Sequence, residues 1–174
     1  MKIRSKLIAL TLATLALTWM CAPERVAAQQ AAPAAKENSV TITHQAKGPF
    51  EPKLTPFKSE GIDPAFGAMS SEKQFHGALE ATSKGVMLAF QSEVKGSAGY
   101  VALEKVAGTL DGRKGTFVLQ HNATMDRGTP MLNIIVVPDS GTGELTGLAG
   151  KMNIDIAAGG KHTYVFDYTL PAAK

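Results

Sequence analysis

The chain has 174 residues, with 18 Lys and Arg against 15 Asp and Glu and a single cysteine, Cys21. A length of this order suits one domain. Four basic residues (Lys2, Arg4, Lys6, Arg25) and one acid (Glu24) fall in the first 28 positions, so the remainder balances at fourteen of each and carries no basic stripe. Nucleic-acid binding driven by phosphate neutralisation has no electrostatic motive, and no such partner is expected.

The first 28 residues read as a secretory leader. Lys2, Arg4 and Lys6 form a basic start, Leu7 to Met20 is an apolar run too short for a membrane span, and "VAA" at Val26 to Ala28 offers small residues for a peptidase. Cys21 raises the alternative of a lipid-modified N-terminus. Trp19 and Met20 are too bulky for such processing, so cleavage near Ala28 and a periplasmic or secreted mature chain are the reading adopted. That chain has no disulfide and no thiol nucleophile. Residues 29–38, "QQAAPAAKEN", read as a flexible tether, and residues 39–171 as the folded domain.

From Ser39 the apolar residues come in short alternating stretches divided by Gly-rich turns, the punctuation of strands. In chain order the expected elements are Val40 to Ala46, a short extended piece near Phe50 to Leu54, Lys73 to Ser83, Val86 to Val94, Ala98 to Leu110, Lys114 to Met125, Pro130 to Val137, Glu144 to Ile156 and His162 to Leu170. The joints are "SKG", "KGS", "LDGRKG", "MDRG", "PDSGTG" and "AAGGK". Connections this short join antiparallel neighbours. A meander of about eight such strands removes its edges by closing, which predicts an all-β, single-domain barrel. The irregular segment Thr55 to Glu72 is a candidate lid across a mouth, or a plain surface loop.

"MLNIIVV" (Met131 to Val137) and "YVFDYTL" (Tyr164 to Leu170) are apolar on both faces. Something is expected to cover their outer side, and a second subunit in a homo-oligomer or a folded-back segment would do so.

The runs "KQFHGALEATSKGVML", "GSAGYVALEKVAGTLDGRKGTFVLQHNATMDRGTP", "VVPDSGTGELTGLAGKM" and "HTYVFDYTL" together resemble an uncharacterised bacterial domain-of-unknown-function family whose barrel is similar to that of allene oxide cyclase. "GTGELTGLAG" also looks like the strand entry of allene oxide cyclases and dirigent proteins. The resemblance implies an antiparallel barrel of that type. It implies no activity, and no pocket residue of the plant cyclase is carried over to a position here.

Side chains alternate along a strand, which limits what can share a pocket. In "GTFVLQHNATMD", Gln120 and Asn122 point to one face and His121 to the other. Glu80 and Glu104 sit in separate long strands in apolar contexts. A carboxylate buried there would have a raised pKa and could act as general acid or base, or could pair with a Lys in a structural network. The candidate catalytic residues are Glu80, Glu104 and His121, and the candidate ligand-binding residues are Tyr100, Gln120 and Tyr168. His44, His76, His121 and His162 show no paired spacing, so no metal site is expected. The sequence also lacks a Walker loop, a dinucleotide fingerprint and a nucleophile elbow, so no cofactor is expected. Three functions remain: a barrel that binds a small apolar molecule or a protein partner, a cofactor-free isomerase or cyclase using interior acid–base groups, and a solidly packed interaction module.

Overall fold

The computed structural model describes residues 43–58 and 60–171. The expected leader, Cys21, the tether and the start of the first expected strand lie outside them. Eight strands follow one another: β1 (Thr43–Pro56), β2 (Gly67–Phe75), β3 (Leu79–Gln91), β4 (Ala98–Leu110), β5 (Arg113–Asp126), β6 (Thr129–Val136), β7 (Ala149–Ile156) and β8 (His162–Thr169). Each pairs antiparallel with the next, and β8 returns to β1 with Thr43 opposite Thr169, closing the barrel. Among the described residues no helix is long and apolar enough to cross a membrane.

Alternation decides the two surfaces. Along β3, buried Leu79, Ala81 and Ser83 alternate with exposed Glu80, Thr82 and Lys84, and along β5 buried Phe117, Leu119 and His121 alternate with Val118, Gln120 and Asn122. The inward sets meet in one core that includes Phe50, Phe75, Phe117, Ile134, Met152, Tyr164 and Phe166. Phe117 stacks on Phe166, and Phe75 meets the edge of Tyr164.

Four boundaries differ from the sequence reading. The described part of the first expected strand, Thr43 to Ala46, and the piece near Phe50 are one strand, β1, which Pro49 and Pro52 do not interrupt. "SKG" is not a turn: Ser83, Lys84 and Gly85 lie in mid-strand, paired with β2 and β4, and the chain reverses at His76–Ala78 instead. Gly77 takes φ +93° there, and the Tyr164 hydroxyl accepts from Leu79 N at 2.8 Å and donates to His76 O at 3.1 Å. Gly48 lets this turn fold against β1, since a Cβ at that position would stand 1.8 Å from His76 O. The expected lid shrinks to residues 57–66, because strands claim both of its ends. "GTGEL" forms a 3-10 turn at Gly143–Leu145, and the strand after it starts only at Ala149.

The barrel has two unlike ends. The β6–β7 connection seals one with buried Leu145 and Leu148. Its Thr142 and Ser140 side chains accept from Thr116 N and Val118 N, giving partners to the part of β5 that runs past β6. These bonds stand in for a neighbouring strand at the two amides. At the other end lie the loops β1–β2, β3–β4, β5–β6 and β7–β8, and that mouth is open. On the outer wall Val86, Val101 and Leu103 of β3 and β4 are exposed.

Candidate functional site

Four consecutive strands each turn one polar side chain inward in a diagonal row: Lys73 on β2, Ser83 on β3, Glu104 on β4 and His121 on β5. Glu104 is 2% exposed and His121 4%. The Lys73 ammonium donates to Glu104 Oε2 at 2.5 Å, and the Ser83 hydroxyl donates to Glu104 Oε1. His121 Nε2 stands 3.0 Å from Glu104 Oε2, yet it has no aligned hydrogen bond among the described residues. Lys73 also lies over the rings of Phe50 and Phe75, at 5.6 and 5.9 Å from their centroids.

Burial alone would push the Glu104 carboxyl upward. Its surroundings, the close His121 imidazole together with the Lys73 ammonium and the Ser83 hydroxyl, override that and hold it down at about 2. Glu104 is therefore an anion at neutral pH, neutralised by Lys73 at close range. A carboxylate so stabilised is a weak base and has no proton to give, because acid–base catalysis needs a group poised near the working pH.

Above this row, toward the mouth, the barrel holds a cavity of about 580 Å³, within the usual range for small-molecule sites. Its walls include Met69, Ala89, Tyr100, Ala123, Leu132 and Ile156. They are apolar apart from Gln91, Tyr100 and Thr124. Tyr100 shares the inward face of β4 with Glu104, whereas Gln91 ends β3 two pairs further out. Burial raises the Tyr100 phenol above its ordinary pKa, and the charge of Glu104 raises it further. Tyr100 thus links the dry cavity to the charged row beneath it, as a neutral hydroxyl.

The expected site residues fall into two groups. Glu104, His121 and Tyr100 are brought together in the interior. The other three stand apart, each for a reason visible in the fold. Glu80 belongs to the outward set of β3: its side chain is 57% exposed, accepts from Gly77 N at 2.6 Å, and faces His76 at the turn. It is not an interior carboxylate. Gln120 points outward between Leu103 and Ile135, because inward-facing His121 fixes the opposite direction for its neighbour. Tyr168 is buried at the sealed end, stacked on His44 at 5.2 Å and hydrogen-bonded to the Asp111 carboxylate. Burial and the Asp111 contact both raise its phenol. It closes the barrel and does not reach the cavity.

Lys73 and Ser83 were not singled out from the sequence. The signal was parity: both share a face with Phe75 and Ala81. Among the described residues no three His, Cys, Asp or Glu side chains are grouped as a metal site.

The comparisons bear on the barrel as a whole. The model of a family described as "Protein of unknown function (DUF3224)" matches residues 46–168, from the first inward alanine of β1 to the last inward tyrosine of β8. The chain belongs to the DUF3224 family. A crystal structure of a DUF3224 protein of unknown function from Shewanella oneidensis MR-1 is similar to it, with 45% sequence identity and a TM-score of 0.70 over 76% of this chain and all of that one. No curated protein matches the chain. The family assignment fixes the DUF3224 barrel as the scaffold and leaves function to the geometry of the site.

Proposed function

We propose that this DUF3224 protein is an exported barrel that binds a small, largely apolar molecule at its open end. The observation that carries the reading is the cavity: about 580 Å³, walled by Met, Ala, Leu and Ile side chains, at the open end of a barrel with a packed core. A site of this kind gains affinity by removing apolar ligand surface from water, roughly 25 cal/mol per Å². The leader supports export. Against an isomerase or cyclase stands Glu104, whose depressed pKa suits a structural ion pair better than a general acid or base.

The test is native mass spectrometry of the protein purified from its own cell envelope, beside an Ala123→Trp variant that fills the cavity. A co-purifying apolar molecule on the wild type, absent from a folded variant, supports binding. A wild type that carries nothing and does not take up an environment-sensitive apolar dye removes the proposal.

A further inference from the structure

The barrel wall is not continuous around the cavity. β6 and β7 pair only at Ile134–Met152 and Ile135–Lys151, whereas β5 and β6 pair from Leu119–Val136 to Asp126–Thr129. Carried toward the mouth, the β6–β7 register would set Leu132 opposite Ile154 and Pro130 opposite Ile156, but the ladder between the two strands does not extend that far. Pro130 has no N–H to extend the ladder. The two edges of this split are apolar, and Pro130, Met131, Leu132 and Ile156 from them line the cavity. The cavity therefore borders this unpaired stretch of the wall, and Ile156, 61% exposed, stands at its outer lip.

The inner end has a different character. Tyr100 is the deepest polar side chain of the lining, and among the described residues no Lys, Arg, His, Asp or Glu side chain lines the cavity. Lys73, the nearby cation, is committed to Glu104 below. An anionic ligand group at Tyr100 would meet the Glu104 charge without a free counter-ion, and a cationic one would find no carboxylate in the lining. An unpaired charge is costly in such a place. A neutral hydroxyl or carbonyl finds the phenol as its partner.

We infer that the ligand is an uncharged amphiphile, an alcohol, aldehyde, ketone or ester with its polar end at the Tyr100 hydroxyl and its hydrocarbon part lying in the split between β6 and β7. This rests on the binding reading above and narrows it to a chemical class. The raised phenol agrees with it, since the burial that raises it, and after that the Glu104 charge, disfavour a ligand carboxylate as well.

Displacement of a bound apolar dye by 1-decanol, decanoate and 1-hexanol tests it. At pH 7, 1-decanol is expected to bind at least about ten-fold more tightly than decanoate, because the anion must lose its hydration without gaining a partner. Tyr100→Phe should weaken 1-decanol about two- to ten-fold, the worth of one hydrogen bond. Ile156→Arg, at an exposed lip where folding is not at stake, should weaken 1-decanol and leave 1-hexanol unchanged. Decanoate binding as tightly as 1-decanol overturns the neutral-head assignment while the binding reading stands. An unchanged ratio of 1-decanol to 1-hexanol in Ile156→Arg overturns the placement of the chain. If the dye itself does not bind the wild type, both the inference and the reading beneath it fall.

Discussion

Replacing Lys73 by Met keeps a long apolar stem in the barrel and removes the ammonium that meets Glu104 at 2.5 Å. In the folded protein the Glu104 carboxyl sits at about 2, against 4.5 for the free group. At 1.36 kcal/mol per pKa unit, its surroundings favour the ionised form by roughly 3 kcal/mol, shared among His121, Lys73 and Ser83. Removing one member of a buried pair leaves an uncompensated charge, which typically costs about 3–5 kcal/mol. Proton uptake by Glu104 limits that loss, so the expected destabilisation at pH 7 is about 2–4 kcal/mol, or roughly 10 °C in Tm for a domain of this size. The pH dependence has a definite sign. A carboxyl whose folded pKa lies below its unfolded one stabilises above about 4.5, and that contribution drains away as pH falls toward 2. The variant has less of it to lose, so the gap between wild type and Lys73→Met should narrow on acidification. Urea unfolding followed by circular dichroism between pH 7 and pH 3 measures both quantities. Adding Glu104→Gln to Lys73→Met should recover part of the stability, since the orphaned charge is gone. A loss below about 1 kcal/mol at pH 7, together with a gap that does not change with pH, would refute the argument that Lys73 compensates a buried anion.

Two further predictions separate structure from binding. Glu104→Gln alone should lower stability by about 1–3 kcal/mol through its buried donors yet leave dye affinity in the cavity within about two-fold, as read by chemical unfolding and fluorescence titration on the same preparation. Gly108→Ala places a Cβ 2.2 Å from Glu80 O and should cost about 3 kcal/mol or more, whereas Gly112→Ala meets nothing within 4 Å and bears only the strain of φ +79°, about 1 kcal/mol. Thermal melts of the two variants side by side check that contrast.

The antiparallel closed sheet was legible because its pattern has a period of two and its joints are short. The errors have local causes. "SKG" carries turn residues, but Ser83 faces the interior and Gly85 lies where a Cβ would stand 2.5 Å from Leu103 O, so the glycine serves close strand packing and not reversal. The separation of His121 from Gln120 was fixed by alternation, yet which of them faces inward depended on Phe117 and Leu119 both joining the core. Glu80 could have been placed outside from the same rule, since it alternates with Leu79 and Ala81. Lys73 stayed hidden because a lysine in a strand ordinarily marks the wet side, and only the closed barrel brings it against Glu104. The split between β6 and β7 has no sequence counterpart beyond Pro130, because pairing across it is a property of barrel shape.

Thr43 and Thr169 lie across from each other on neighbouring strands, at the end stopped by Leu145 and Leu148. A short peptide can therefore join these positions, and the backbone can be cut anew at the tight bend of Asp111 and Gly112, yielding a circular permutant with every ladder retained. Likewise, a surface or a reporter grafted at Thr43 or Thr169 sits behind the stopper, and the orifice looks away from the attachment.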